Sequence, residues 1–124
     1  MAPWGDKIQP YRSNNFAYLL MGNNLINSLK NVAEHVLPNG AHVWLYGSRA
    51  RGDAREDSDW DLLILLDKPK IEHDDFDTVA YPFIEAGWDF AANVNPQLYS
   101  YSEWKQRAIS PYYQNVEQDK LLLA

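Results

Sequence analysis

Residues 47–61 read Gly-Ser-Arg-Ala-Arg-Gly-Asp-Ala-Arg-Glu-Asp-Ser-Asp-Trp-Asp, and the apolar run Leu-Leu-Ile-Leu-Leu follows at residues 62–66. The pattern within this stretch is Gly47-Ser48, then ten residues, then Asp59 and Asp61. A turn that contains glycine allows the backbone to approach a phosphate closely, because glycine has no β-carbon. Two neighbouring carboxylates attract a divalent cation. The stretch therefore favours chemistry on a nucleoside triphosphate.

The two carboxylates are predicted to form a metal site. Side chains in a strand alternate between faces, so Asp59 and Asp61 are expected to point the same way. Two carboxylates about 4–5 Å apart repel by about 3–4 kcal/mol at an effective dielectric constant near 20. Mg²⁺ prefers oxygen ligands and commonly binds one or two carboxylates together with substrate phosphates. We expect Asp59 and Asp61 to bind one or two Mg²⁺ ions.

The phosphates of the nucleotide are expected to lie at the turn. The hydroxyl of Ser48 and nearby backbone N–H groups can donate hydrogen bonds to phosphate oxygens. Arg49 or Arg51 could hold the polyphosphate with a forked guanidinium group. Arg55 lies close by in the sequence, and the pattern does not decide which arginine faces the phosphates.

Composition limits the other possibilities. The chain has 124 residues and no cysteine, so we expect one domain (residues 13–124) after an irregular arm (residues 1–12), without disulfides or thiolate metal sites. The net charge of −6 argues against long RNA or DNA as a partner. The first residues contain no apolar signal region, and the longest apolar run is too short to span a bilayer. We expect a cytoplasmic protein without membrane contact.

Periodicity predicts an α/β (α+β) fold in which helices flank a small sheet. We expect Trp88 and the other aromatic residues of the strands to lie in the core. The predicted elements are, in chain order, a helix (14–37), strands (43–46 and 60–66), a helix interrupted by Pro82 (73–86), a third strand (88–94) and two helices (101–109 and 111–118).

At these residues the chain resembles the minimal nucleotidyltransferases of the DNA polymerase β-like superfamily. Their signature is Gly-Ser, about ten residues, then Asp-x-Asp and an apolar strand. Gly52 and Ser58 match secondary positions of the family pattern, and the likeness runs from about Asn24 to the last residue. The resemblance implies the polymerase β-like fold, with a small mixed sheet, and transfer of NMP from a nucleoside triphosphate, ATP being the expected donor. It also implies that Ser58 contributes to nucleotide binding.

The family uses a third carboxylate on a later strand. Asp89, inside the predicted strand 88–94, is the candidate that the resemblance implies, as a metal ligand or as the acceptor of a proton. Two metal ions would then stabilise an in-line displacement at the α-phosphorus. An acid in a surface salt bridge is the alternative interpretation of Asp89, and Glu85 and Asp67 are weaker candidates for the role.

The acceptor of the nucleotidyl group is expected from outside the chain. The small stand-alone members that this chain resembles include antitoxins that add AMP to a tyrosine of a HEPN-domain toxin, and such a toxin is the expected partner. A second copy of the chain could instead complete the site. Two alternatives stay open: a nucleotide- or partner-binding module without turnover, and a dimeric transferase that modifies a small molecule, as aminoglycoside nucleotidyltransferases do.

Overall fold

A computed structural model of the chain describes residues 16–124, with side chains described from residue 21 onward. The predicted arm, residues 1–12, lies outside the described residues. The elements are, in chain order, α1 (Phe16–Val36), β1 (His42–Tyr46), α2 (Ser48–Arg51), β2 (Trp60–Leu66), a π-helical turn (Phe76–Ala80), α3 (Tyr81–Trp88), β3 (Val94–Ser100), α4 (Tyr101–Lys105), α5 (Pro111–Asp119) and β4 (Leu121–Leu122).

The sheet is mixed, as the resemblance implied, and its strand order is β3-β2-β1-β4. Strand β1 runs antiparallel to β2 and β4, whereas β2 and β3 are parallel. A parallel pair needs a crossover connection, which the π-helical turn and α3 provide here. The central strand β2 is therefore joined to one neighbour by a local hairpin and to the other by a long crossover.

Strand β2 is buried on both faces, which its unbroken apolar sequence predicted. Leu62 and Ile64 pack with α1 and α3, in a cluster that includes Leu29 and Phe83. Leu63 and the other side chains on the opposite face pack with the aromatic residues of β1, α4 and α5. Asp61 belongs to this second, aromatic face because it lies two residues from Leu63 on the same strand.

The third predicted strand is wrong. Trp88 ends α3 and is 59% exposed, so it is also not a core residue, and β3 begins only at Val94. Gly87 explains the difference, because a β-carbon there would lie 2.8 Å from the carbonyl oxygen of Ala92. The glycine therefore lets the end of the helix pack directly against the start of β3, and residues 89–93 form the turn between them.

The remaining differences are at element ends. Pro82 lies in the first turn of α3, where its missing N–H breaks no helical hydrogen bond, and the irregular turn precedes it. Helix α4 ends at Lys105, earlier than predicted, and β4 was not predicted. Within the described part of the chain, no helix is long and apolar enough to cross a membrane.

Candidate functional site

The turn after β1 brings the chain back against β2. Gly47 has φ +75° and ψ −158°, and its carbonyl oxygen accepts hydrogen bonds from the N–H groups of Ala50 and Arg51, both at 3.0 Å. A β-carbon at Gly47 would lie 2.5 Å from Oδ2 of Asp61. The glycine is therefore required by its backbone conformation and by the close approach of a carboxylate, and the turn lies against Asp61 at this residue.

The two acids of the motif lie at the start of β2. Asp59 is exposed just before the strand, and Asp61 is partly buried within it, opposite Tyr46 of β1. Burial raises the pKa of Asp61, and the negative charge of Asp59 raises it further, while Asn95 and Arg51 act in the opposite direction. The two carboxylates therefore interact, and a cation between them would relieve both the repulsion and the loss of hydration.

Two asparagines of the β3 segment meet these acids. Nδ2 of Asn93 donates to Oδ1 of Asp59 over 2.8 Å, and Nδ2 of Asn95 donates to Oδ1 of Asp61 over 3.3 Å. Asn95 is also the direct partner of Asp61 in the parallel pairing of β2 with β3. The position beside Asp61 on the neighbouring strand is therefore an amide and not a carboxylate.

The prediction that Asp89 lies on a strand is wrong. Asp89 is the C-cap of α3 and is exposed in the turn before β3, not on a strand beside Asp61. The sequence does contain a signal for the residues that take this place. Asn93 and Asn95 repeat the one-residue spacing of Asp59 and Asp61, but the signal becomes visible only when β3 is placed correctly.

The donor set fits a divalent cation. Two carboxylates and two amide groups meet at one end of β2 and β3, and all can offer the oxygen ligands that Mg²⁺ prefers once the amides rotate. Among residues 16–124, no group of three or more histidine, cysteine, aspartate or glutamate side chains is arranged to hold a metal ion. The acidic part of the donor set is thus the pair Asp59 and Asp61.

The arginines of the motif have different surroundings. Arg49 is only 2% exposed, its Nη2 donates to the carbonyl oxygens of Ser58 (2.8 Å) and Glu56 (3.2 Å), and its guanidinium lies 4.5 Å from the ring centre of Trp60. Arg49 therefore holds the loop before β2 in place. The hydroxyl of Ser58 accepts a hydrogen bond from the N–H of Arg55 at 2.8 Å, so it also acts within this loop.

Of the three motif arginines, Arg51 is the one whose positive charge acts to lower the pKa of Asp61. Its guanidinium forms ion pairs with Asp119 at 2.8 Å and with Asp53 at 3.3 Å, and its side chain is 46% exposed. These pairs raise the pKa of Arg51, chiefly through the hydrogen bond to Asp119. Arg55 is far more exposed and lies 3.6 Å from Asp57. Of the three motif arginines, Arg51 has the surroundings that suit contact with a polyphosphate.

A pair of tyrosines, not predicted from the sequence, forms the wall beside Asp61. The hydroxyl groups of Tyr46 and Tyr112 are 3.1 Å apart. Burial raises the pKa of both phenols, and the charge of Asp61 adds to each shift. Helix α5 therefore reaches the end of the sheet where Asp61 lies, and Tyr112 lies at the edge of the candidate site.

The strand order, the turn after β1 and the paired acids at the start of β2 define the class of protein as an α/β nucleotidyltransferase. The chain belongs to the nucleotidyltransferase domain family, whose profile matches residues 26–121. This match confirms the resemblance to nucleotidyltransferases and supports transferase activity in general.

The fold is similar to the crystal structure, at 1.40 Å resolution, of a "putative nucleotidyltransferase" from Sulfolobus solfataricus. The TM-score is 0.54 and the identity 24%, over 90% of this chain and 89% of that chain. This likeness shows the fold alone. No curated protein matches the chain.

Proposed function

We propose that this chain transfers a nucleoside monophosphate, AMP from Mg²⁺-bound ATP, to a hydroxyl group of an acceptor molecule. The observation that carries the proposal is the contact between the turn and the acid pair, in which Gly47 and Asp61 are so close that a β-carbon would not fit. A phosphate bound at the turn would lie beside the carboxylates, where a cation can contact both.

The residues of the site divide the work. Asp59 and Asp61 would hold the cation, which would supply charge stabilisation for the phosphates. Ser48 and the turn bind phosphate oxygens, and Arg51 adds a positive charge at the same end of the sheet. The acceptor oxygen forms a new bond to the α-phosphorus, the bond to the bridging oxygen breaks, and pyrophosphate leaves. Holding these groups in line supplies much of the catalysis.

The acceptor that we favour is a tyrosine hydroxyl of a partner protein, a HEPN-domain toxin that the transfer would silence in the cytoplasm. This part of the proposal rests on the resemblance to small antitoxin transferases. The net charge of −6 supports a protein acceptor more than a long nucleic acid.

A second candidate function is supported by Asn95. An amide in the position beside Asp61 cannot accept the proton of an attacking hydroxyl, and a site of this kind could bind nucleotide without turnover. The chain would then act as a nucleotide-dependent binding module for its partner.

Transfer of label from α-³²P-ATP to candidate acceptor proteins tests the first function. We expect the wild type to label a tyrosine, and Asp59→Asn and Asp61→Asn each to reduce labelling at least about 100-fold. Asp57→Asn is the matched control, because Asp57 is exposed, lies two residues before Asp59, and loses the same charge on substitution. Labelling that survives Asp59→Asn and Asp61→Asn would contradict the site, and nucleotide binding without labelling would favour the binding module.

A further inference from the structure

Two asparagines donate hydrogen bonds to the acid pair. Each carboxylate at the start of β2 accepts a hydrogen bond from one asparagine of the neighbouring segment, Asn93 to Asp59 and Asn95 to Asp61. Asn95 is held in this place by the backbone register, because residues 61 and 95 are direct partners in the parallel ladder. The amides are therefore built into the site by the sheet.

The charge of the site suits one divalent cation. The two carboxylates carry two negative charges, and the asparagines add none. Two divalent cations at one site repel about four times more strongly than two unit charges at the same distance. The phosphates of the nucleotide bring negative charge of their own, but the protein adds only the two carboxylates, because no third metal-binding acid joins the pair among the described residues.

We propose that Asn95 makes this a one-cation site, in which a single Mg²⁺ joins Asp59 and Asp61 to the nucleotide. Asn95 is uncharged and lies beside Asp61, so the site would lack the third carboxylate that could hold a second cation. The inference rests on the proposed function for the identity of the nucleotide, and on the sheet register for the place of Asn95.

The candidate site does not offer an aspartate beside Asp61 to take the proton of the acceptor hydroxyl. When the acceptor oxygen bonds to the α-phosphorus and pyrophosphate leaves with the electron pair of the broken bond, the hydroxyl proton must leave as well. An amide does not accept it at neutral pH. The proton goes to water or to a basic group that the acceptor protein brings, and transfer should be faster with an acceptor that carries its own base.

The number of bound cations tests the proposal directly. Electron paramagnetic resonance of Mn²⁺ would be measured with the full chain and an equimolar α,β-methylene ATP. We expect one bound Mn²⁺ per chain for the wild type and two for Asn95→Asp. Gln97→Glu is the matched control and should bind one, because it adds the same charge two residues further along β3, opposite Leu63.

A second readout does not depend on counting. In EDTA, Asn95→Asp adds a third negative charge beside Asp61 and should lower the melting temperature, and Mn²⁺ should raise that of the variant more than that of the wild type. Equal Mn²⁺ shifts for Asn95→Asp and the wild type would overturn the role of Asn95. Two bound ions in the wild type would overturn the proposal even if the variant failed to fold.

The failures of the two proposals can be told apart. A wild type that binds one Mn²⁺ with the analogue but labels no acceptor supports the one-cation site and refutes the transferase function. A wild type that labels its acceptor while binding two ions refutes the one-cation site alone. If both proposals hold, Asn95→Asp should label the acceptor at least about tenfold faster, with little change in KM for ATP.

Discussion

Gly47 and Asp61 are in close contact at the end of the antiparallel pair β1 and β2, since a β-carbon on the glycine would lie 2.5 Å from the carboxylate oxygen Oδ2. The contact joins the phosphate turn to the cation pair. We expect Gly47→Ala to destabilise the fold by about 1–3 kcal/mol, because alanine is strained at φ +75° and also pushes Asp61 away. Urea unfolding and Mg²⁺-ATP titration would measure the two effects.

Gly52→Ala separates these effects. Gly52 also has a positive φ, +86°, at the end of α2, so its substitution introduces the same kind of strain. We expect a loss of about 1 kcal/mol in stability with nucleotide affinity largely retained. Equal loss of affinity in both variants would show that the contact between Gly47 and Asp61 is not what positions the site.

Arg49 and Arg51, the first two arginines of the motif, should behave differently on substitution. Arg49→Ala removes a buried guanidinium that holds the carbonyl oxygens of Glu56 and Ser58, and we expect a loss of about 2–4 kcal/mol in stability. Arg51→Ala removes partly exposed ion pairs and should cost less than about 1 kcal/mol. Nucleotide affinity should fall more in Arg51→Ala, as calorimetry would show.

Arg49→Lys serves as the control for charge. Lysine keeps the positive charge but lacks the planar fork that reaches two carbonyl oxygens and stacks on Trp60. We expect it to restore little of the lost stability. A variant as stable as the wild type would mean that charge alone holds the loop.

The stability of the protein should depend on the protonation of Asp61. Burial raises its pKa in the folded state, so the stability associated with the protonated acid is present at low pH and is lost as pH rises through that pKa. Asp61→Asn should therefore raise the melting temperature in EDTA at pH 7 and change it little near pH 3.5. Asp57→Asn, which removes an exposed charge, controls for the change in net charge.

Glu103 should act in the opposite direction. Its carboxylate accepts hydrogen bonds from the N–H groups of Ser100 (3.0 Å) and Ile71 (3.2 Å), which lower its pKa, the bond from Ser100 contributing most. The stability that it contributes is present above its unfolded pKa and lost as pH falls through its folded pKa.

Substitution at residue 103 measures this contribution. Glu103→Gln should cost up to about 1 kcal/mol at pH 7, because water screens the partly exposed carboxylate, and almost nothing near pH 3. Urea midpoints at both pH values would measure the difference. The exposed Glu85→Gln is the control, and a penalty for Glu103→Gln that does not change with pH would contradict the assignment.

Local patterns predicted much of the fold, and they predicted that Gly47, Asp59 and Asp61 lie close together in the candidate site. The spacing of Gly47, Asp59 and Asp61 lies within one hairpin, where Tyr46 and Asp61 are direct partners, so sequence distance and spatial distance agree. The apolar run of β2 predicted its burial because it carries no polar residue beyond Asp61. The predicted strand 88–94 is wrong because the short, largely apolar segment between α3 and β3 resembles a strand in sequence.

The sequence by itself determined the class of chemistry, because the turn and the acid pair are encoded within fifteen consecutive residues. Only the tertiary structure decided what completes the pair. The parallel pairing of β2 with β3 depends on where α3 ends, and that point is set by the contact of Gly87 with Ala92 and Val94. A register set across a crossover cannot be derived from local spacing, and it places Asn95 beside Asp61.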